Sequence, residues 1–189
     1  MSQPSIVGLS GNIFAPSFAP SKTRALVECA LKAARRKLDI RTSLFELSDF
    51  GDDLGRARAI SDLSPVAQDN LQQVLSADAL IVATPIYKGS YPGLFKHLID
   101  LIDPLALIHR PVLLGATGGG TRHALAVEHQ LRPLFAFFEA RVLATAVHVS
   151  DADFTDGVLT GAEVMIRLDR AVSEFGQIFP KALRKTSAA

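Results

Sequence analysis

Residues 79–102 read ALIVATPIYKGSYPGLFKHLIDLI and predict a strand, a loop and a helix in immediate succession. The apolar run at 79–82 is too short for a helix and ends just before a proline, which is typical of a buried strand. In the loop, Tyr87 and Lys88 offer an aromatic surface, a hydroxyl and a cation. Apolar residues at helical spacing from 94 to 102 then predict an amphipathic helix. Ligands bind beyond the carboxyl ends of strands in an open parallel sheet, so this loop is a candidate binding site.

Composition narrows the class of protein. The chain has 189 residues, of which 48% are hydrophobic and 21% charged, and its formal net charge is +1. These values describe an ordinary globular protein and argue against a disordered or nucleic-acid-binding one. The length, with no internal repeat or linker, predicts a single domain over residues 1–189.

Several kinds of site and location are disfavoured by the sequence. The one cysteine, Cys29, excludes an internal disulfide, and the 5 histidines lack the spacing of a metal motif, so we expect no metal. No apolar run approaches the roughly 18 residues needed to cross a bilayer, so we expect no membrane contact. The N-terminus lacks the pattern of a secretion signal, from which we expect a cytoplasmic protein.

A second candidate site follows a strand predicted over residues 5–10. Its polar residues share one loop and the start of the next helix: Ser10, Asn12, Ser21, Lys22 and Thr23. Hydroxyls, an amide and a cation at the positive end of a helix suit a phosphate. The glycine spacing matches neither a dinucleotide fingerprint, nor a P-loop, nor a nucleophile elbow. Two interpretations of Ser21 and Thr23 are equally open, because they would either hold a phosphate or only cap the helix.

The remaining pattern predicts an α/β fold. Short apolar runs predict five strands, at residues 5–10, 40–47, 79–82, 111–116 and 142–149. Helical spacing predicts the intervening helices, at residues 22–38, 66–75, 92–102, 121–139 and 162–183. This alternation predicts a parallel sheet covered on both sides. After the fourth strand, Thr117, Gly118 and Gly119 either let backbone amides approach a flat ligand or only make a tight turn.

The helix predicted over 121–139 carries apolar residues on two faces, and the second face suggests a contact between subunits. Pro133 removes a backbone hydrogen bond and should kink this helix or accompany a bulge. Bulges of this kind are frequent at functional sites. His129 lies on the second face, where a catalytic-site role and a plain packing role fit equally well.

Three polar loops after three strands predict a flavodoxin-like three-layer sandwich, with a five-stranded parallel sheet of order 2-1-3-4-5 that holds FMN. At residues 83–98, 116–119, 122–125 and 129–135 the chain also resembles a known family. It resembles the NAD(P)H-dependent FMN reductases that accompany alkanesulfonate and methanesulfonate monooxygenases. The resemblance extends over most of the chain.

The resemblance implies roles for particular residues. Those matching the phosphate loop are Ser10, Ser21, Lys22 and Thr23. Those matching the loop beside the ribityl chain and ring are Pro85, Ile86, Tyr87 and Lys88. Those matching the loop at the isoalloxazine edge are Thr117, Gly118 and Gly119. Asn12 and Ser17 lie in a segment between Gly11 and Ser21 that is about four residues longer than the family pattern.

The resemblance also implies a role for His129, which matches the histidine of a π-bulge in the methanesulfonate-linked reductases. In that family the bulge is associated with tetramers and with flavin that leaves after reduction. We therefore expect a homodimer or homotetramer.

The implied reaction is hydride transfer from NADH or NADPH to FMN, followed by transient contact with a flavin-dependent monooxygenase. The cofactors perform this chemistry, so we expect the protein to place them rather than to supply a general acid or base. Backbone amides near Gly118 and Gly119, and the charge of Lys88, would stabilise negative charge on the reduced ring.

Two alternatives use the same fold. One is a reductase of quinones, azo dyes or metal ions that retains its FMN. The other is a flavodoxin-type electron carrier. Carriers of that type are usually strongly acidic, so the net charge of +1 argues against this alternative.

Overall fold

The chain folds around one parallel sheet flanked by helices. A computed structural model describes residues 3–13 and 21–184. The strands of the main sheet are β1 (Ser5–Ser10), β2 (Arg41–Glu46), β3 (Ala79–Pro85), β4 (Pro111–Thr117), β5 (Arg141–Val142) and β6 (Val147–Val149). The strand order is β2-β1-β3-β4-β5, with β6 also pairing with β4, and every one of these pairs is parallel. The predicted order 2-1-3-4-5 is confirmed, and it is the flavodoxin-like order.

Helices cover both faces of the sheet and enclose two hydrophobic cores. On one face lie α1 (Lys22–Lys37) and α5 (Ala162–Ile178). On the other lie α2 (Pro65–Ser76), α3 (Gly93–Asp100) and α4 (Arg132–Phe137). A two-stranded hairpin, β7 (Phe154–Thr155) and β8 (Val158–Leu159), precedes α5. Within 3–13 and 21–184, no helix is both long enough and apolar enough to cross a membrane.

The start of α1 is fixed by its sequence. Ser21 has an extended backbone, and its side chain accepts a hydrogen bond from the Arg24 amide at 3.1 Å, as an N-cap does. The helix lies very close to the sheet, because a Cβ added at Gly8 of β1 would be 2.4 Å from Val27 Cγ1. Glycine at position 8 therefore allows α1 to pack closely against β1.

The helix predicted over 121–139 is interrupted. The structure has a 3₁₀ turn at Thr121–His123, a π-helix at Val127–Leu131 and then α4. The Arg132 amide donates to the Val127 carbonyl five residues back, which is the π pattern. Pro133 follows immediately within the first turn of α4, where a missing N–H costs little. The bulge predicted from the proline is confirmed.

The fifth strand predicted over 142–149 is wrong as a continuous element, because it splits into β5 and β6. Val112 of β4 pairs with Val142, whereas Gly115 pairs with Val147, so two β4 residues face four on the partner strand. The strand can bulge here because backbone polar groups between β5 and β6 are hydrogen-bonded by side chains instead of by β4.

Side chains from two helices supply those partners. The Arg132 guanidinium donates to the Leu143 carbonyl at 3.1 Å. The Glu174 carboxylate accepts the amides of Ala144 and Thr145, both at 2.9 Å. These contacts satisfy backbone groups that a regular β ladder would have used.

Candidate functional site

The three predicted loops meet at the carboxyl edge of the sheet and are hydrogen-bonded to one another. Thr23, in the first turn of α1, and Thr117, the last residue of β4, place their hydroxyl oxygens 2.7 Å apart. The Ile86 amide donates to the Thr117 carbonyl at 2.8 Å, which joins the loop after β3 to the loop after β4. Thr117 therefore connects all three segments.

The loop after β3 is shaped by a tight turn. Tyr87 and Ser90 exchange two backbone hydrogen bonds, at 2.8 and 3.2 Å, across Lys88 and Gly89. Lys88 (φ 53°) and Gly89 (φ 89°) both have left-handed backbones, as a type I′ turn requires. The turn carries the exposed side chains of Tyr87 and Lys88. Partial burial raises the pKa of the Tyr87 hydroxyl above its ordinary value, so it remains protonated and able to donate.

The N-terminus of α1 combines capping with a suitable anion site. Ser21 caps the helix, which is one of the two roles predicted for it. Capping uses only its acceptor capacity, and its hydroxyl hydrogen can still be donated. The backbone amides of Lys22 and Thr23, in the first turn, have no acceptor within the helix. Both interpretations of Ser21 are therefore compatible with the geometry.

The Lys22 ammonium is directed to a residue that follows β6. Its Nζ lies 2.6 Å from Asp151 Oδ1 and 5.5 Å from the centroid of the Phe154 ring. The side chains of Lys22 and Asp151 are 41% and 62% exposed, so solvent weakens this ion pair. Asp151 is exposed to solvent and, through Lys22, borders the site.

Ser10 and Asn12 are both buried, and Ser10 has an unexpected partner. Its hydroxyl donates to Glu46 Oε1 at 3.3 Å, and the Arg24 guanidinium donates to Glu46 Oε2 at 3.0 Å. The sequence reading missed Glu46. In the sequence, Glu46 is only an acidic residue at the end of a predicted strand. It points to the site once the strand order places β2 beside β1. The tip of the long loop, including Ser17, lies outside the described residues.

The glycines after β4 allow close packing. A Cβ at Gly118 would lie 3.0 Å from His123 Cβ, and one at Gly119 would lie 3.4 Å from Asp151 Oδ2. The Gly118 amide donates to the Val149 carbonyl at 3.0 Å. Our expectation that this amide stabilises a reduced ring needs correction, because the β4–β6 pairing already uses it.

A second histidine lies near this loop. The Nε2 atom of His148 is buried without a hydrogen-bond partner. Burial, and repulsion from His123, lower the pKa of His148, while Asp153 acts in the opposite direction. Within the described ranges, no cluster of three histidine, cysteine, aspartate or glutamate residues could hold a metal ion.

His129 lies in the π-helix and is exposed. The π-helix contacts the loop after β3 through the next residue, since the Ser90 hydroxyl donates to Gln130 Oε1 at 3.0 Å. Two exposed apolar side chains lie nearby in sequence, Leu125 (64%) and Phe137 (69%). His129 thus belongs to an outer surface that is connected to the site through Gln130.

The chemistry of these groups fits FMN. The start of α1 provides hydroxyls and amides for a phosphate. The turn at Tyr87–Ser90 provides an aromatic surface, and the glycine loop permits close approach of a flat ring. The position, at the carboxyl ends of β1, β3 and β4, is where parallel sheets of this order bind ligands.

Comparisons with known proteins agree with this fit. Residues 4–154 match the family described as NADPH-dependent FMN reductase. The NADH-dependent FMN reductase SfnF of Pseudomonas fluorescens (strain Pf0-1) is 45% identical over 93% of this chain and 95% of the relative. The FMN reductase (NADPH) of Pseudomonas aeruginosa is 42% identical over 90% and 92% of the two chains. The crystal structure of an oxidoreductase from Corynebacterium diphtheriae has a TM-score of 0.79 at 30% identity and covers 95% of this chain and 98% of its own. The chain belongs to the NADPH-dependent FMN reductase family.

Proposed function

We propose that this protein transfers hydride from NADH or NADPH to FMN and releases the reduced flavin. The observation that carries the proposal is the junction at Thr117, where a phosphate-type helix start, an aromatic turn and a glycine loop are hydrogen-bonded together. A single ligand with a phosphate at one end and a flat ring at the other spans such a junction. FMN is that ligand for the family.

Each segment would have one part of FMN to hold. The phosphate would be bound at the start of α1 by the hydroxyls of Ser21 and Thr23, the amides of the first turn and the Lys22 charge. The ribityl chain and ring would lie along Pro85, Ile86, Tyr87 and Lys88. The ring edge would contact Thr117, Gly118 and Gly119. Asn12, buried beside the first strand, would support the phosphate loop.

The protein would accelerate the reaction by placement. Bound FMN supplies the hydride acceptor. The turn at Tyr87–Ser90 and the glycine loop would fix one ring face and leave the other open to the nicotinamide. Orienting two bound reactants in this way can supply on the order of 7–11 kcal/mol of the barrier in favourable cases. The Lys88 cation would offset negative charge on the reduced ring.

The assembly and partner form part of the same proposal. We propose a homodimer or homotetramer that pairs through the surface of Leu125, His129 and Phe137, where exposed apolar groups border the π-helix. The reduced flavin would pass to a flavin-dependent monooxygenase in the cytoplasm. The names of the relatives include both nicotinamides, so either NADH or NADPH is the donor.

One experiment tests the reaction. The absorbance spectrum of the purified protein is recorded, and oxidation of NADH and of NADPH is then followed against increasing FMN. A colourless protein whose rate rises from near zero and saturates with FMN is the expected result. A yellow protein whose rate ignores added FMN and responds to a quinone would overturn flavin release in favour of a retained cofactor.

A further inference from the structure

Glu46 is a buried carboxylate beside the proposed phosphate site. It ends β2, its side chain is only 3% exposed, and it lies next to Ser10 at the end of β1. Its two oxygens have separate partners: Oε1 accepts the Ser10 hydroxyl at 3.3 Å, and Oε2 accepts the Arg24 guanidinium at 3.0 Å. Its backbone amide donates to Asp49 Oδ2 at 2.7 Å, which fixes the residue from the other side.

Two carboxylates share the Arg24 guanidinium. The Arg24 Nε donates to Glu28 Oε1 at 2.8 Å, while Nη1 of the same guanidinium contacts Glu46. Glu28 lies on the helix surface and is 39% exposed, so water screens its charge. Glu46 is out of water, and its charge therefore acts on its surroundings more strongly. The local charge of Arg24 with its two carboxylates is negative, which is unfavourable for a nearby phosphate.

The Ser10 hydroxyl has one hydrogen to donate. In this structure that hydrogen goes to Glu46, and a phosphate dianion can only accept. Phosphate and Glu46 are therefore competitors for one donor. The distance of 3.3 Å is long for an O–H···O contact, whose usual range is about 2.5–3.0 Å, so the existing bond is weak and readily exchanged.

We propose that Glu46 is an internal anion that competes with the FMN phosphate for Ser10 and thereby keeps flavin affinity low enough for the product to leave. This inference rests on the proposed function, because it requires FMN in this site. Arg24 is a positioning residue here, since it holds the Glu46 carboxylate in place. Glu46 sets affinity for the phosphate group and for no other part of the flavin.

Riboflavin provides the matched ligand, because it has the same ring and ribityl chain without the phosphate. The dissociation constants of FMN and riboflavin are measured by fluorescence titration for the parent protein, Glu46→Gln and Glu28→Gln. Gln keeps the shape but carries no charge. Its one amide oxygen can accept from Arg24 while its NH2 donates to the Ser10 oxygen, which frees the Ser10 hydrogen for a phosphate. Glu28→Gln is the matched control, because it removes the other carboxylate of Arg24 and leaves Ser10 untouched.

For Glu46→Gln we expect the FMN constant to fall about tenfold, with riboflavin changed by less than about twofold. Glu28→Gln should change both constants by less than about twofold, because its charge is exposed. In stopped-flow displacement, the tighter binding should appear mainly as slower FMN dissociation.

Unchanged or weaker FMN binding in a folded Glu46→Gln would overturn the inference, since a purely supporting carboxylate would give that result. A parent protein that binds neither FMN nor riboflavin would overturn the proposed function itself. Failure of the proposed function can thus be told apart from failure of the inference about Glu46. If Glu46→Gln does not fold, Glu46→Asp serves, because it draws the carboxylate back from Ser10. The expected change is then about threefold tighter FMN with constant riboflavin, and an unchanged FMN constant refutes the proposal.

Discussion

The bond between Thr23 and Thr117 should be worth a measurable part of the stability of this protein. Both hydroxyls are buried, and their oxygens are 2.7 Å apart. Thr117→Val keeps the shape of the side chain and leaves the Thr23 hydroxyl without that partner. A buried polar group deprived of its partner costs about 1–3 kcal/mol, so the free energy of unfolding should fall by that amount. For a chain of this length, each kcal/mol corresponds to a melting-temperature shift of about 2–4 °C.

A double-mutant cycle isolates the bond. Thr23→Val and Thr117→Val together remove both hydroxyls, so the double variant should be less destabilised than the sum of the single variants, by about 0.5–3 kcal/mol. The hairpin offers a matched control pair, since the hydroxyls of Thr155 and Thr160 lie 3.0 Å apart but are exposed. Water replaces either partner there, and the coupling in that pair should be close to zero.

The assay is urea unfolding followed by circular dichroism, with an FMN titration of each folded variant. Because the bond joins the phosphate segment to the ring-edge segment, Thr117→Val should also weaken FMN binding. Equal coupling in the two threonine pairs, or no loss of stability in Thr117→Val, would refute the view that Thr117 holds the three segments together.

Three further variants test other parts of the site. His129→Ala should shift the assembly toward smaller species in sedimentation and alter FMN turnover, and parent-like behaviour in both would count against a role for the π-helix. Lys22→Ala should weaken FMN but not riboflavin by about 1.5–3 kcal/mol, because it removes a charge-assisted contact to phosphate; equal affinity for FMN would contradict this. The pKa of His148 in the folded protein lies below its ordinary 6.5, so the unfolded state takes up this proton at a higher pH than the folded state does. The free energy of unfolding should therefore fall as the pH drops below about 6.5. His148→Gln should flatten the fall below about pH 6.5 in urea unfolding, and an unchanged slope would exclude this origin.

Much of the fold was predictable because local patterns determine it. The apolar runs of β1, β3 and β4 are buried on both faces of the sheet, and such strands are continuous in sequence. Ser21 and Pro133 marked a helix start and a bulge through backbone chemistry that depends on one residue. The split between β5 and β6 was not predictable from 142–149 alone. It depends on Arg132 and Glu174, which lie elsewhere in the sequence and bond to the backbone only after the fold forms.

Residues of the candidate site were likewise predictable where their signal is local, and not where it depends on tertiary contacts. Thr23 and Thr117 were selected from separate segments, and the structure brings their hydroxyls into contact. Lys22 was selected for its charge, but its ion pair with Asp151 spans most of the chain length and has no local signal. Glu46 was missed for the same reason, because a single acid after a strand is ordinary until strand order places it beside Ser10. Pairing between distant side chains is set by tertiary packing.

The split between β5 and β6 has a consequence for how copies of this chain can associate. These strands pair only with β4 among the described strands, so they form one border of the sheet. An uninterrupted border strand can template a strand from another molecule, which leads to open-ended aggregation. Here the two extra residues break the ladder, and Glu174 already binds amides that an incoming strand would need. The bulge and these two bonds therefore work against extension of the sheet across subunits at this border.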